Sequence, residues 1–140
     1  MQLINQLSQS QFKQVHAFLS ERSYWSKGIT AERLQAAIDN SLCFALVQKN
    51  QLIAFARVVT DYATFANLLD VFVLEPFRGM GHGKQLLDAV VTHPKLQGLR
   101  RFTLVTHDAH TLYRQFGFDD VQSPEYLMER HPPAAYKATS

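Results

Sequence analysis

The segment Arg78-Gly79-Met80-Gly81-His82-Gly83-Lys84 constrains this chain more than any other. Glycines at alternate positions weaken a strand or a helix, because glycine loses the most backbone freedom on folding. They belong where the chain turns tightly or approaches a ligand closely. Upstream, Phe65 to Leu74 is of strand length and contains Leu68-Leu69-Asp70-Val71-Phe72-Val73, with Pro76 ending it. A run this apolar implies burial on both faces of a sheet. Downstream, Leu86, Leu87, Val90 and Val91 mark the inner face of a helix from about Gly81 to Thr92, stopped by Pro94. A helix start presents unpaired N–H groups and about half a positive charge. Arg78 and Lys84 add cationic side chains. The sum is an anion site, most naturally one for phosphate.

Two common phosphate loops fit poorly. Gly83-Lys84 is followed by Gln85, which lacks the hydroxyl that a P-loop offers to magnesium. The glycines are spaced by two throughout, which is not the Gly-x-Gly-x-x-Gly of dinucleotide folds.

The remaining elements follow from periodicity. Ser8 and Gln11 fit a capping box. Phe12, Val15, Phe18, Leu19 and Arg22 continue a helical stripe, which Ser23 to Gly28 breaks. Thr30 caps a second helix, with Glu32 in its first turn. Leu42 to Gln48 and Leu52 to Asp61 read as a hairpin about Lys49-Asn50-Gln51. Phe102 to Thr106 is a further strand, followed by a short helix through Ala109, Leu112, Tyr113 and Phe116 that Gly117 stops. Phe118 to Val121 and Tyr126 to Glu129 are candidate last strands. The expected class is α/β (α+β): a mixed, mostly antiparallel central sheet, one right-handed parallel crossover, and helices on both faces. One domain over residues 1–131 is expected, with 132–140 a flexible tail after Pro132-Pro133.

Bulk properties exclude several classes. A formal charge of +2 and no long basic run argue against a nucleic-acid partner. No apolar run reaches the roughly 20 residues of a membrane span. The start Met1-Gln2-Leu3-Ile4-Asn5 lacks the character of a signal peptide. The single cysteine, Cys43, excludes an intrachain disulfide and reads as a buried packing residue. A reducing, cytoplasmic setting is the default expectation, with no metal site.

Arg78-x-x-Gly81-x-Gly83, preceded by Val71-Phe72-Val73-Leu74-Glu75-Pro76-Phe77, and Leu112-Tyr113-x-x-x-Gly117-Phe118 occur in this order across one strand. In this the chain resembles the GCN5-related N-acetyltransferase (GNAT) superfamily over nearly its whole length. The resemblance implies an acetyl-CoA-dependent N-acetyltransferase. It places the coenzyme's pyrophosphate on the amides of Arg78, Gly79, Met80, Gly81, His82, Gly83 and Lys84. It places the pantetheine arm along the backbone of Val71, Phe72 and Val73, and a general acid at Tyr113. The family's glutamate base falls near Asn67, which cannot take a proton at neutral pH; Asp70, Glu75, His107 and His110 stay open. Thr106 stands where many relatives have Asn, and Asp108 could cap the helix that follows.

The acceptor side of such enzymes meets the loop between the first two helices. Here that loop presents Tyr24 and Trp25, whose faces suit an apolar or cationic amine. Arg57 interrupts the apolar strand Phe55 to Val59 and is expected to pair with an acceptor carboxylate, or with Asp61 or Glu75. The expected partner is a small-molecule primary amine, with a peptide N-terminus as an alternative acceptor. A non-catalytic acyl-CoA-binding or sensing module is the alternative of another class, and an ATP-binding protein is a third reading. A monomer or homodimer is compatible with all of these.

Overall fold

The computed structural model describes residues 1–130; the expected tail at 132–140 lies outside the described residues. The chain begins with β1 (Gln2–Ile4), α1 (Gln9–Ala17) and α2 (Ala31–Asp39). Next come β2 (Leu42–Gln48), β3 (Gln51–Thr60) and β4 (Phe65–Val73), then α3 (His82–Val91), β5 (Arg101–Leu104) and α4 (His110–Arg114). The five strands lie in chain order β1-β2-β3-β4-β5. All neighbours are antiparallel except β4 and β5, which are parallel and joined through α3.

Local chemistry accounts for most element ends. The Ser8 hydroxyl accepts from the Gln11 N–H while the Gln11 carboxamide accepts from the Ser8 N–H, the expected reciprocal cap of α1. The Thr30 hydroxyl accepts from the Arg33 N–H at the start of α2. Lys49 and Asn50 both take positive φ, the two-residue turn whose twist suits a hairpin. Gln51 therefore pairs with Gln48 inside the ladder rather than lying in the turn.

Alternating residues of the central strands feed two cores. Cys43, Ala45 and Val47 of β2 join Phe18, Leu19 and Leu34 on the α1/α2 side. Phe44 and Leu46 join Leu86, Leu87 and Val90 on the α3 side. Burial on both faces explains the near-continuous apolar strands. Burial pushes the Cys43 thiol up to about 11, which suits an inert packing residue.

Two features depart from the sequence reading. β1 is too short and too exposed to show a period. The candidate strands at Phe118–Val121 and Tyr126–Glu129 are absent from the sheet. Instead Arg114 clasps Asp119 and Asp120 at 2.6 and 2.9 Å, which holds the chain back against α4. Phe118 packs edge-on to Phe102 and Tyr113. Pro124, which has no N–H for a ladder, opens a 3₁₀ turn instead.

Candidate active site

The site is built around an irregularity in β4. Arg57 pairs with Leu69 and Phe55 with Phe72, so Asp70 and Val71 together oppose Ala56. This is a β-bulge, with two residues facing one. Asp70 carries the extra turn at φ 54°, an uncommon conformation that Asp tolerates better than most residues. The bulge reverses the side-chain alternation. Ala66 and Leu68 face the α3 core, whereas Phe72 and Leu74 face the α1/α2 core. Asp70 is thereby turned to the α1/α2 side, where it is only 8% exposed.

Its carboxylate is fully engaged there. Arg57 Nε donates to Asp70 Oδ2 at 2.8 Å, and Trp25 Nε1 donates to Asp70 Oδ1 at 2.9 Å. Arg57 also donates to the Ser41 hydroxyl at 3.2 Å. The expectation for Arg57 is corrected here: its carboxylate partner is Asp70, not Asp61 or Glu75. Asp61 is held instead by the Thr64 hydroxyl and by the N–H groups of Thr64, Ala63 and Phe65, which depress its pKa well below the usual range. Glu75 takes Arg22 at 2.9 Å.

The ladder between β4 and β5 ends at Leu68 and Leu104. β4 then runs on from Leu69 to Val73 with no strand partner on its β5 side among the described residues. The two strands therefore part at the bulge. That leaves main-chain groups of Val71, which point away from β3, available to an extended ligand within the Val71–Val73 stretch expected to hold one. The Val73 carbonyl accepts from Arg78 Nε at 2.9 Å, so Arg78 braces the loop against β4.

Beyond β4, Gly79 and Gly81 adopt φ 78° and 83°, and a Cβ at either would meet nothing within 4 Å. The glycines serve backbone shape rather than relief from crowding. Gly81 precedes the first turn of α3. Among the described residues, no acceptor meets the backbone N–H groups of Gly79, Met80, Gly81, His82, Gly83 or Lys84. Six consecutive donors at a helix start form the cradle expected for a diphosphate. Arg78 itself donates its N–H to the Glu75 carbonyl at 3.3 Å and drops out of that set. Lys84 is exposed on the first turn, and Nδ1 of His82 is buried without a partner.

Tyr113 lies on α4, which follows β5. It packs in the α3-side core, with its ring edge-on to Phe118. Desolvation, then the charge of Asp108, then Tyr24 raise its phenol above the ordinary value, which keeps the proton on. The Thr106 hydroxyl accepts from the Ala109 N–H at 3.0 Å, so Thr106 rather than Asp108 holds the start of α4. Asn67 is occupied too, accepting from the Thr103 hydroxyl at 2.7 Å. His107 and His110 are exposed.

The loop after α1 forms the opposite wall. α1 ends in a π-helical turn, Phe18–Arg22, in which the Ser23 N–H reaches the Phe18 carbonyl at 3.0 Å. Such turns often lie at functional sites. The Ser23 hydroxyl donates to Leu19 and accepts from the Ser26 N–H, which pins the loop. Tyr24 and Trp25 project from it, 68% and 39% exposed. Tyr24 meets Trp25 edge-on at 5.1 Å and His107 at 5.7 Å. The rings thus bridge this loop to the β5–α4 loop beside Tyr113. Sequence reading named Tyr24, Trp25 and Arg57, and left Asp70 open as a base, but missed that the Asp70 carboxylate joins two of them. The available signal was an acid inside the otherwise apolar run from Leu68 to Leu74, opposite an arginine inside another.

Among the described residues, no cluster of His, Cys, Asp and Glu is arranged to hold a metal, and no helix is long and apolar enough to cross a membrane. A family model for the acetyltransferase (GNAT) family matches residues 6–118. A crystal structure from Xanthomonas campestris pv. campestris, described as belonging to the gnat family, is 47% identical with a TM-score of 0.89, covering 97% of each chain. The [Ribosomal protein bS18]-alanine N-acetyltransferase of Haemophilus influenzae is 28% identical over 128 residues, covering 86% of this chain and 84% of that one. A predicted acetyltransferase from Clostridium acetobutylicum, crystallised with acetyl-CoA, shares the fold at a TM-score of 0.65 and 15% identity, covering 93% of this chain and 96% of that one. The glycine cradle, the bulged strand beside it and these likenesses agree: the chain belongs to the acetyltransferase (GNAT) family.

Proposed function

We propose that this protein is an N-acetyltransferase that moves the acetyl group of acetyl-CoA to the primary amine of a small molecule by direct attack in a ternary complex. The observation that carries this reading is the row of six unpaired backbone donors from Gly79 to Lys84, set directly after the bulged strand. The diphosphate lies on that row, and the pantetheine arm extends along Val71, Phe72 and Val73 toward the bulge. The thioester then comes to rest between Asp70 and Tyr113.

The chemistry follows from the groups present. An alkylammonium of pKa near 10.4 must lose a proton before it attacks, so roughly one molecule in a thousand or fewer is ready at neutral pH. That proton leaves to solvent. The amine nitrogen bonds the thioester carbon, and a backbone N–H near Val71 stabilises charge on the oxygen. The C–S bond breaks, and the Tyr113 hydroxyl gives its proton to the sulfur. The nitrogen sheds its second proton to solvent, and the phenolate recovers one. The net products are an amide, coenzyme A and one proton.

The whole described chain acts as one domain in this reading, in a cytoplasmic setting, as a monomer or homodimer. Acceptance of a peptide N-terminus is the second reading, favoured by the likeness to the bS18-alanine enzyme. The test is an acetyl-CoA consumption screen over small amines and free-N-terminal peptides, beside calorimetry with coenzyme A. Coenzyme binding with turnover of a small amine supports the proposal. Coenzyme binding without turnover of any acceptor replaces it with a sensing module.

A further inference from the structure

The walls of the acceptor cleft carry information about the acceptor itself. Three rings, Trp25, Tyr24 and His107, are exposed and meet edge to face in that order, and the middle one, Tyr24, is near enough to Tyr113 to act on its phenol. The orientation of Trp25 is fixed, since its N–H is tied to Asp70. The acids around this cleft are mostly committed. Asp70 is neutralised by Arg57, and Glu75 by Arg22. Asp108 is the exception: it caps no helix, joins no ion pair among the described residues, and lies near enough to Tyr113 for its charge to raise the phenol.

Resting on the transferase reading above, we propose that the acceptor is a primary monoamine with an aromatic body. The body stacks on Tyr24 and Trp25. The ammonium is drawn toward Asp108 and delivered next to Tyr113. Aromatic faces hold flat apolar groups and also favour an adjacent cation. One available carboxylate matches one positive charge. A polyamine or an aminoglycoside brings several charges and would leave most of them unpaired against a cleft whose other acids are already bound. The π-helical turn and the Ser23 bonds fix the loop that carries Tyr24 and Trp25.

The test is steady-state kinetics of the full chain with acetyl-CoA and phenethylamine, tryptamine, spermidine, kanamycin and a short peptide with a free N-terminus. The expected result is a kcat/KM for the two aromatic monoamines at least about tenfold above the others. Tyr24→Ala and Trp25→Ala are expected to raise KM for tryptamine about tenfold with kcat held within about twofold, the signature of lost uniform binding. Asp108→Asn should raise KM for phenethylamine and tryptamine alike. Tyr24 is mostly solvent-exposed, so its variant tests the idea even where Trp25→Ala fails to fold. Preference for spermidine, kanamycin or the peptide would overturn the inference and leave the transferase reading standing, as would an unchanged KM in Tyr24→Ala. No turnover of any amine, with coenzyme A still bound, would instead sink the transferase reading itself.

Discussion

In the proposed reading, the glycine loop and the wall of Tyr24 and Trp25 solve the same problem, holding a ligand at the β4 bulge, with different materials. The loop from Gly79 to Lys84 presents main-chain N–H groups, and its shape depends on positive φ at Gly79 and Gly81. The acceptor wall presents side chains. Trp25, Arg57 and Asp70 come from a helix connection and two strands, and Trp25 and Asp70 are 45 residues apart. Backbone recognition reads a phosphate that every substrate pair shares. Side-chain recognition can change while the sheet stays as it is. Asp70 stands at the border, because the bulge proposed to receive the thioester is also what turns its carboxylate toward Trp25.

The largest effect should come where both regions deliver their ligands. Tyr113→Phe keeps the ring in its core and removes only the hydroxyl. It is expected to lower kcat by about 10²–10⁴ while calorimetric affinity for coenzyme A holds. Because burial raises the phenol, it stays protonated past its ordinary value of about 10, so the wild-type kcat should show no loss of an acid below that pH. A limb near neutrality would assign the acid elsewhere.

Asp70→Ala comes next and probes the side-chain region. Removing one partner of a nearly buried ion pair leaves Arg57 uncompensated, at a cost of about 3 kcal/mol in unfolding free energy by urea titration. Asp70→Asn tolerates the same positive φ and still accepts from Trp25, so it should lose less and keep more acceptor affinity. Equal losses in the two variants would mean that charge, not backbone geometry, is what this position supplies.

How much was legible in the sequence divides along the same line. The glycine spacing and the apolar runs beside it are local, and their physics is local too, so the cradle, α3 and the parallel crossover could be read directly. The bulge at Asp70 leaves no periodic mark, because the residues around it from Leu68 to Val73 are apolar whichever side of the strand they take. Arg57 was recognisable as a misfit, but its partner depended on a one-residue shift of register that no pattern announces. The candidate strands after Gly117 failed for a related reason. Their composition suits a sheet, yet the chain there folds back on itself, with Arg114 paired to Asp119 and Asp120 and Pro124 opening a 3₁₀ turn.

The smallest effect expected is also the sharpest probe of the backbone region. Gly81→Ala adds one methyl group where nothing lies within 4 Å, so it creates no clash. It does place an L side chain at φ 83°, a strain of roughly 1–2 kcal/mol. If the loop relaxes that strain by rotating its amides away from the diphosphate, coenzyme A should bind about tenfold more weakly, since 1.4 kcal/mol is one decade. The acceptor KM, measured at saturating acetyl-CoA, should not move, because among the described residues none of Tyr24, Trp25 or Asp70 hydrogen-bonds to the loop. A parallel rise in acceptor KM would show that loop and wall are coupled through β4 rather than independent. Unchanged coenzyme affinity would show that the donors of Gly79 to Lys84 do not bind the diphosphate.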